Sequence, residues 1–106
     1  MDSPEDAVIV CYSLSGGGFG EEQDREAVRA LKKRLAAVIE SAGLGEVDGD
    51  EFGGGEAVLY TYGPDATALF AAMEPYLRAF PARPAHAVLR FGEVDDPAAI
   101  ERRVDL

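Results

Sequence analysis

The chain has 106 residues, ten bases against twenty acids, a formal charge of −10 and an apolar fraction of 47%. That length suits one domain, and that apolar fraction suits one ordinary core, which excludes wholesale disorder. The charge repels phosphate backbones and anionic lipid, so neither nucleic acid nor membrane is an expected partner, whereas a basic protein or a cation stays open. An 18-residue apolar run is absent, and so is a basic-then-apolar amino terminus; no membrane span or secretory signal is expected. Cys11 is the single cysteine, which excludes an internal disulfide and makes a reducing cytoplasm the expected location.

The first element is a strand. Ala7-Val8-Ile9-Val10-Cys11-Tyr12-Ser13-Leu14 is apolar and rich in β-formers, and Gly16-Gly17-Gly18 stops it. A helix follows from about Glu21 to Ala42. Val28, Leu31, Leu35, Val38, Ile39 and Ala42 form one stripe at helical spacing, with Glu21, Glu22 and Asp24 in the favoured first turn and Gly43 at the stop. Residues 46 to 62 read as a hairpin turning at Gly53-Gly54-Gly55. Val47 and Phe52 stand an odd number apart, so both reach the core only if that arm bulges, with Gly49 the natural place.

Asp65 then caps a second helix whose buried face is Leu69, Phe70, Met73, Tyr76, Leu77 and Phe80. Pro75 should kink it, and Pro81 and Pro84 end it. Ala87 to Phe91 is the last predicted strand. The tail, 93 to 106, is expected to add one short helix, with Asp96 as cap, Pro97 at its first position, and Ile100 and Val104 docking it.

Two β-α-β units joined by a hairpin predict a single α+β domain of the ferredoxin-like kind. This is a two-layer β-α-β-β-α-β sandwich with a four-stranded antiparallel sheet, order 4-1-3-2, and both helices on one face. Strand direction then brings the glycine loop 15–20, the hairpin turn and the loop 81–85 to one end of the sheet. Alternation along 57–62 sends Leu59 to the helices and Tyr60 and Tyr62 away from them. With Tyr12 and Arg90 these tyrosines are expected to form an interface or ligand face, since Tyr and Arg anchor contacts.

Each chemical motif fails a test of spacing. Ser15-Gly16-Gly17-Gly18-Phe19-Gly20 stands between a strand and a helix, where phosphate cradles occur. The third glycine of a dinucleotide fingerprint is replaced by Glu21, a P-loop Lys-Ser/Thr pair is missing, and Glu21 and Glu22 repel phosphate. The acids around Asp48 and Asp50 do not make a calcium loop, because Phe52 takes a ligand position and Leu59 replaces the closing glutamate. Cys11 and His86 are single, and no hydrolase elbow surrounds Ser13 or Ser15. No catalytic constellation, metal site or cofactor is expected. Charge is uneven: Arg25, Arg29, Lys32, Lys33 and Arg34 crowd the first helix, while 35 to 77 carries no base.

The run Gly43-Leu44-Gly45-Glu46-Val47-Asp48-Gly49, with Leu59-Tyr60-Thr61-Tyr62-Gly63-Pro64-Asp65-Ala66 and the flanking Gly18-Phe19-Gly20 and Arg90-Phe91-Gly92, resembles a group of small bacterial proteins of unknown function. These share a Gly-Glu-Phe-Asp-Gly hairpin and a Leu-Tyr-x-Tyr-Gly-Pro-Asp-Ala strand; this chain has Val47 where they have Phe. The resemblance spans most of 12 to 92 and implies a compact α/β domain without transferring an activity. Two functional expectations follow from the residues. One is a non-catalytic protein-interaction module, dimeric through the open sheet face or, like an inhibitor or immunity protein, covering a basic partner. The other is a small-molecule or cation-binding regulatory domain with its site at the glycine-rich end, near Phe19, Asp50, Glu51 and Arg83.

Overall fold

The computed structural model describes residues 5–14, 22–92 and 97–106. In chain order it holds β1 (Asp6–Ser13), α1 (Glu22–Ser41), β2 (Glu46–Gly53), β3 (Glu56–Gly63), α2 (Ala66–Ala79), β4 (Ala85–Phe91) and β5 (Ile100–Asp105). All strand pairings are antiparallel, in one sheet of order β2-β3-β1-β4-β5. The class is α+β. The expected four-stranded sheet is corrected to five strands.

The fifth strand replaces the expected tail helix. Ile100 and Val104 stand four apart, a spacing that suits a helix and, being even, a strand face equally well. The outer edge of β4 decides between them. Left bare, it would present a row of unpaired N–H and C=O groups, and β5 pairs them from His86↔Asp105 to Phe91↔Ile100. Val104 and Leu106 pack against the core, while Ile100 stays 70% exposed. Asp96, the expected cap, lies outside the described residues; Pro97 and Ala98 form a turn.

One layer of the core comes from the sheet: Val8, Val10 and Tyr12 of β1, Ala57, Leu59 and Thr61 of β3, and Ala85, Ala87 and Leu89 of β4. The helices supply the other through Val28, Leu31, Leu35 and Ile39 of α1 and Leu69, Phe70, Met73 and Leu77 of α2. The two buried hydroxyls on the sheet are both satisfied, Thr61 donating to the Val8 carbonyl and Tyr12 to that of Leu77. Among the described residues, every buried side-chain nitrogen and oxygen has a partner.

Local chemistry fixes the joints. Asp65 caps α2 by accepting from the Thr67 and Ala68 amides. The Asp6 carboxylate accepts from the Ala66 amide and the Gly92 amide, tying the start of α2 and the end of β4 to the start of β1. The β2 register shifts between Val47 and Gly49, so Asp48 is the extra residue of a bulge, and Val47 and Phe52 both pack on the core. At the foot of the hairpin the backbone of Leu44 and Gly45 runs against Tyr62 and Gly63. A Cβ on Gly63 would collide with the Leu44 carbonyl oxygen, and one on Gly45 with that of Tyr62.

Candidate interaction face

The helices cover one face of the sheet; among the described residues nothing covers the other. Its composition follows from register. The central row runs Gly49, Tyr60, Ile9, Val88, Arg103 across β2, β3, β1, β4 and β5. On one side lies the row Glu51, Val58, Cys11, His86, Asp105, and on the other Glu46, Tyr62, Ala7, Arg90, Glu101. Ile9, Cys11, Val58, Tyr60, Tyr62, His86, Val88 and Arg90 are all half-buried, each partly sheltered by its neighbours on the pleat. Ala7, between Tyr62 and Arg90 in the register, is only 1% exposed.

Charge is arranged by column. On the β4–β5 side the bases are neutralised in place: Arg90 meets Glu101 at 2.8 Å and Arg103 meets Asp105 at 3.1 Å. On the β2–β3 side Glu46, Glu51 and Glu56 pair with no cation among the described residues. Two of them accept from neutral donors instead, Glu51 from the Tyr60 hydroxyl at 3.1 Å and Glu56 from the Cys11 thiol at 3.0 Å. Partial burial, then the Glu51 hydrogen bond, hold the Tyr60 phenol above its ordinary range. Burial, then the bond to Glu56 and its charge, push the Cys11 thiol up to about 11. The Arg103 charge acts on the same thiol in the opposite sense. A thiol so raised is a poor nucleophile and a poor metal ligand at neutral pH.

Of the four residues expected here, the structure puts Tyr60, Tyr62 and Arg90 on the open face and Tyr12 on the covered one. Tyr12 shares its face with Val8 and Val10, and its cross-strand neighbours are Ala57 and Ala85, whose small side chains leave room for a ring. The ring packs against Phe80 at 4.8 Å between centroids, and the phenol donates to the Leu77 carbonyl at 2.7 Å. That carbonyl is available because the residue four further on is Pro81, which has no N–H to offer. Burial pushes the Tyr12 phenol far above its ordinary range. Sequence reasoning missed Ile9, Val58 and Val88, the apolar middle of the open face, although alternation along the strands contains them. It also missed Arg103, because the tail was read as a helix.

The residues expected at the glycine-rich end do not converge. Backbone bonds from Ser13 to Pro84 and from Leu14 to Gly55 draw those loops to one end of the sheet. Phe19 lies outside the described residues. Asp50 and Glu51 project from opposite faces of β2, Asp50 to Lys32 of α1 at 3.0 Å and Glu51 to Tyr60. Arg83 spends its guanidinium on the carbonyls of Arg78, Phe80 and Ala82 at 2.6 to 2.7 Å, closing the end of α2. It borders a cleft of about 530 Å³ with Leu14, Asp24 and Phe80 that contains neither Asp50 nor Glu51. Among the described residues, no three His, Cys, Asp or Glu side chains are grouped to hold a metal ion. None of the described helices is long and apolar enough to cross a membrane. No family model, curated protein or solved structure matches this chain.

Proposed function

We propose that the protein is a non-catalytic protein-interaction module and that the open sheet face is its working surface. One observation carries this reading. An apolar middle of Ile9, Val58, Val88, Tyr60 and Tyr62 is bordered by charged columns, which is the pattern of an interface core inside a polar rim. Its aromatics are tyrosines, which give large contact area at small entropic cost. The unneutralised Glu46, Glu51 and Glu56 beside them favour a partner that brings positive charge to that edge.

Site-specific photocross-linking in the cells that make the protein tests the reading. A photoreactive residue at Val58 on the open face is compared with one at Ala71, exposed on α2. The expected result is a discrete protein cross-link from Val58 and none from Ala71. Equal yields from both positions, or none from Val58, contradict it.

A further inference from the structure

We propose that the groove between α1 and α2 binds a small organic anion, a monocarboxylate with an apolar body about 10 Å long. The groove lies in the helix layer, on the opposite side of the sheet from the open face. The proposal neither needs nor supports the interaction reading of that face.

The space comes first. Ala27 and Ala30 of α1 line the groove on one side, Pro75 and Ala79 of α2 on the other, and all four are exposed. Long side chains at those positions would close it. These short ones leave a cavity of about 580 Å³, inside the roughly 300–1,000 Å³ of small-molecule sites. Its floor is apolar and held from below: Leu31 is 8% exposed, and the Phe80 ring packs on that of Tyr12.

The class of ligand follows from the two ends, which differ. β1 and β2 are both antiparallel to β3 and so run the same way, as do β3 and β4, both antiparallel to β1. The helices joining each pair therefore run in opposite directions. That sets Ala27 near Phe80 and Pro81, and Arg34 near Pro75 and Tyr76. The first end is wholly apolar. At the second, the helical neighbours of Arg34 three and four residues away are Ala30, Leu31, Ala37 and Val38, none of which can neutralise it. Arg34 pairs with no acid among the described residues, and Glu74, beside Pro75, is engaged by Arg78 at 2.8 Å. The Tyr76 hydroxyl is likewise without a partner among the described residues. A carboxylate placed there accepts from guanidinium and phenol together, while its apolar body lies along the alanines toward Phe80. The two helical turns from Ala27 to Arg34 give that body its length of about 10 Å. Charge sets the head group. Among the described residues the groove offers one unpaired cation, and a chain at −10 repels a dianion more than a monoanion.

Amide NMR of the isotope-labelled full chain reads the site, with sodium octanoate as the probe and octan-1-ol as its uncharged match. Octanoate raised to about 10 mM, enough to detect a millimolar dissociation constant, should shift the amides of Ala27, Ala30 and Ala79. Those of Ile9, Val58 and Val88 on the open face should stay in place. Octanol should bind the same groove about tenfold more weakly, because it lacks the charge that Arg34 meets. Arg34→Gln should weaken octanoate about tenfold and leave octanol unchanged. Ala30→Leu, at an exposed helical position that accepts leucine without harm to the fold, should abolish binding of both by filling the groove. Groove amides that do not move, or shifts that persist in Ala30→Leu, overturn the proposal. Equal binding of octanol and octanoate, or octanoate binding indifferent to Arg34→Gln, overturns the anionic class. Octyl phosphate binding more tightly than octanoate overturns the monocarboxylate assignment. Groove amides that shift when the chain alone is diluted would put a second copy there and overturn the small-molecule site.

Discussion

Tyr12 and Tyr60 stand on neighbouring central strands of one sheet and are used in opposite ways. Tyr12 faces the helices, is fully buried, and gives its hydroxyl to a backbone carbonyl that Pro81 leaves without a donor. Tyr60 faces away, stays half-buried, and gives its hydroxyl to Glu51, a side chain on the same open surface. On the covered face the two buried hydroxyls answer to internal needs, whereas on the open face three carboxylates have no cation among the described residues. The difference shows which face holds the fold together and which one is left outside the core.

The largest effects should therefore fall on the covered face. Leu59→Ala removes a fully buried side chain between sheet and helices and should cost about 2–5 kcal/mol in denaturant unfolding. Val58→Ala, one residue away on the other face, should cost under about 1.5 kcal/mol in the isolated chain. Equal losses would erase the distinction between the faces. Next in size is Tyr12→Phe, which keeps the ring but strands the Leu77 carbonyl, at a cost of about 1–3 kcal/mol. Tyr60→Phe should stay within about 0.5 kcal/mol by the same measurement, because its partner Glu51 is exposed to water.

A smaller effect sharpens the comparison through pH. The folded thiol of Cys11 holds its proton to about 11, against an ordinary value of 9.0. Between those values the unfolded chain binds fewer protons than the folded one. This contribution to stability is therefore level below about pH 9 and falls as pH rises toward 11. The raised Tyr60 and Tyr12 phenols add losses of the same sign from about pH 10, their ordinary value, upward. Urea midpoints across pH 7 to 11, with Cys11→Ala as reference, check the slope. At pH 8 the native thiol should also alkylate about a hundredfold more slowly than a free cysteine. A rate equal to that of the unfolded chain would mean that Glu56 and burial do not hold the proton.

Much of the architecture was legible in the residues. The stripe from Val28 to Ile39 marks α1, Asp65 marks the cap of α2, and the odd spacing of Val47 and Phe52 forces a bulge. Two features were not legible. Strand β1 is apolar on both faces, so alternation alone does not say which side takes Tyr12; that depends on Ala57, Ala85 and Pro81, brought beside it only by folding. The tail has no apolar run of its own, and its strand exists because β4 has an edge to cover. The site was legible to the same extent: Tyr60, Tyr62 and Arg90 from alternation, but not Arg103, whose position follows from the unforeseen fifth strand.

The most direct test of the open face as the working surface compares the chain's four tyrosines by hydroxyl-radical footprinting. The chain is labelled in intact cells and again as highly dilute purified protein. Tyr12 should be unreactive in both and Tyr76, on α2, reactive in both. Tyr60 and Tyr62 should react in dilute protein and be protected in the cell. Tyr60 and Tyr62 labelled as heavily in the cell as in dilution would contradict the account.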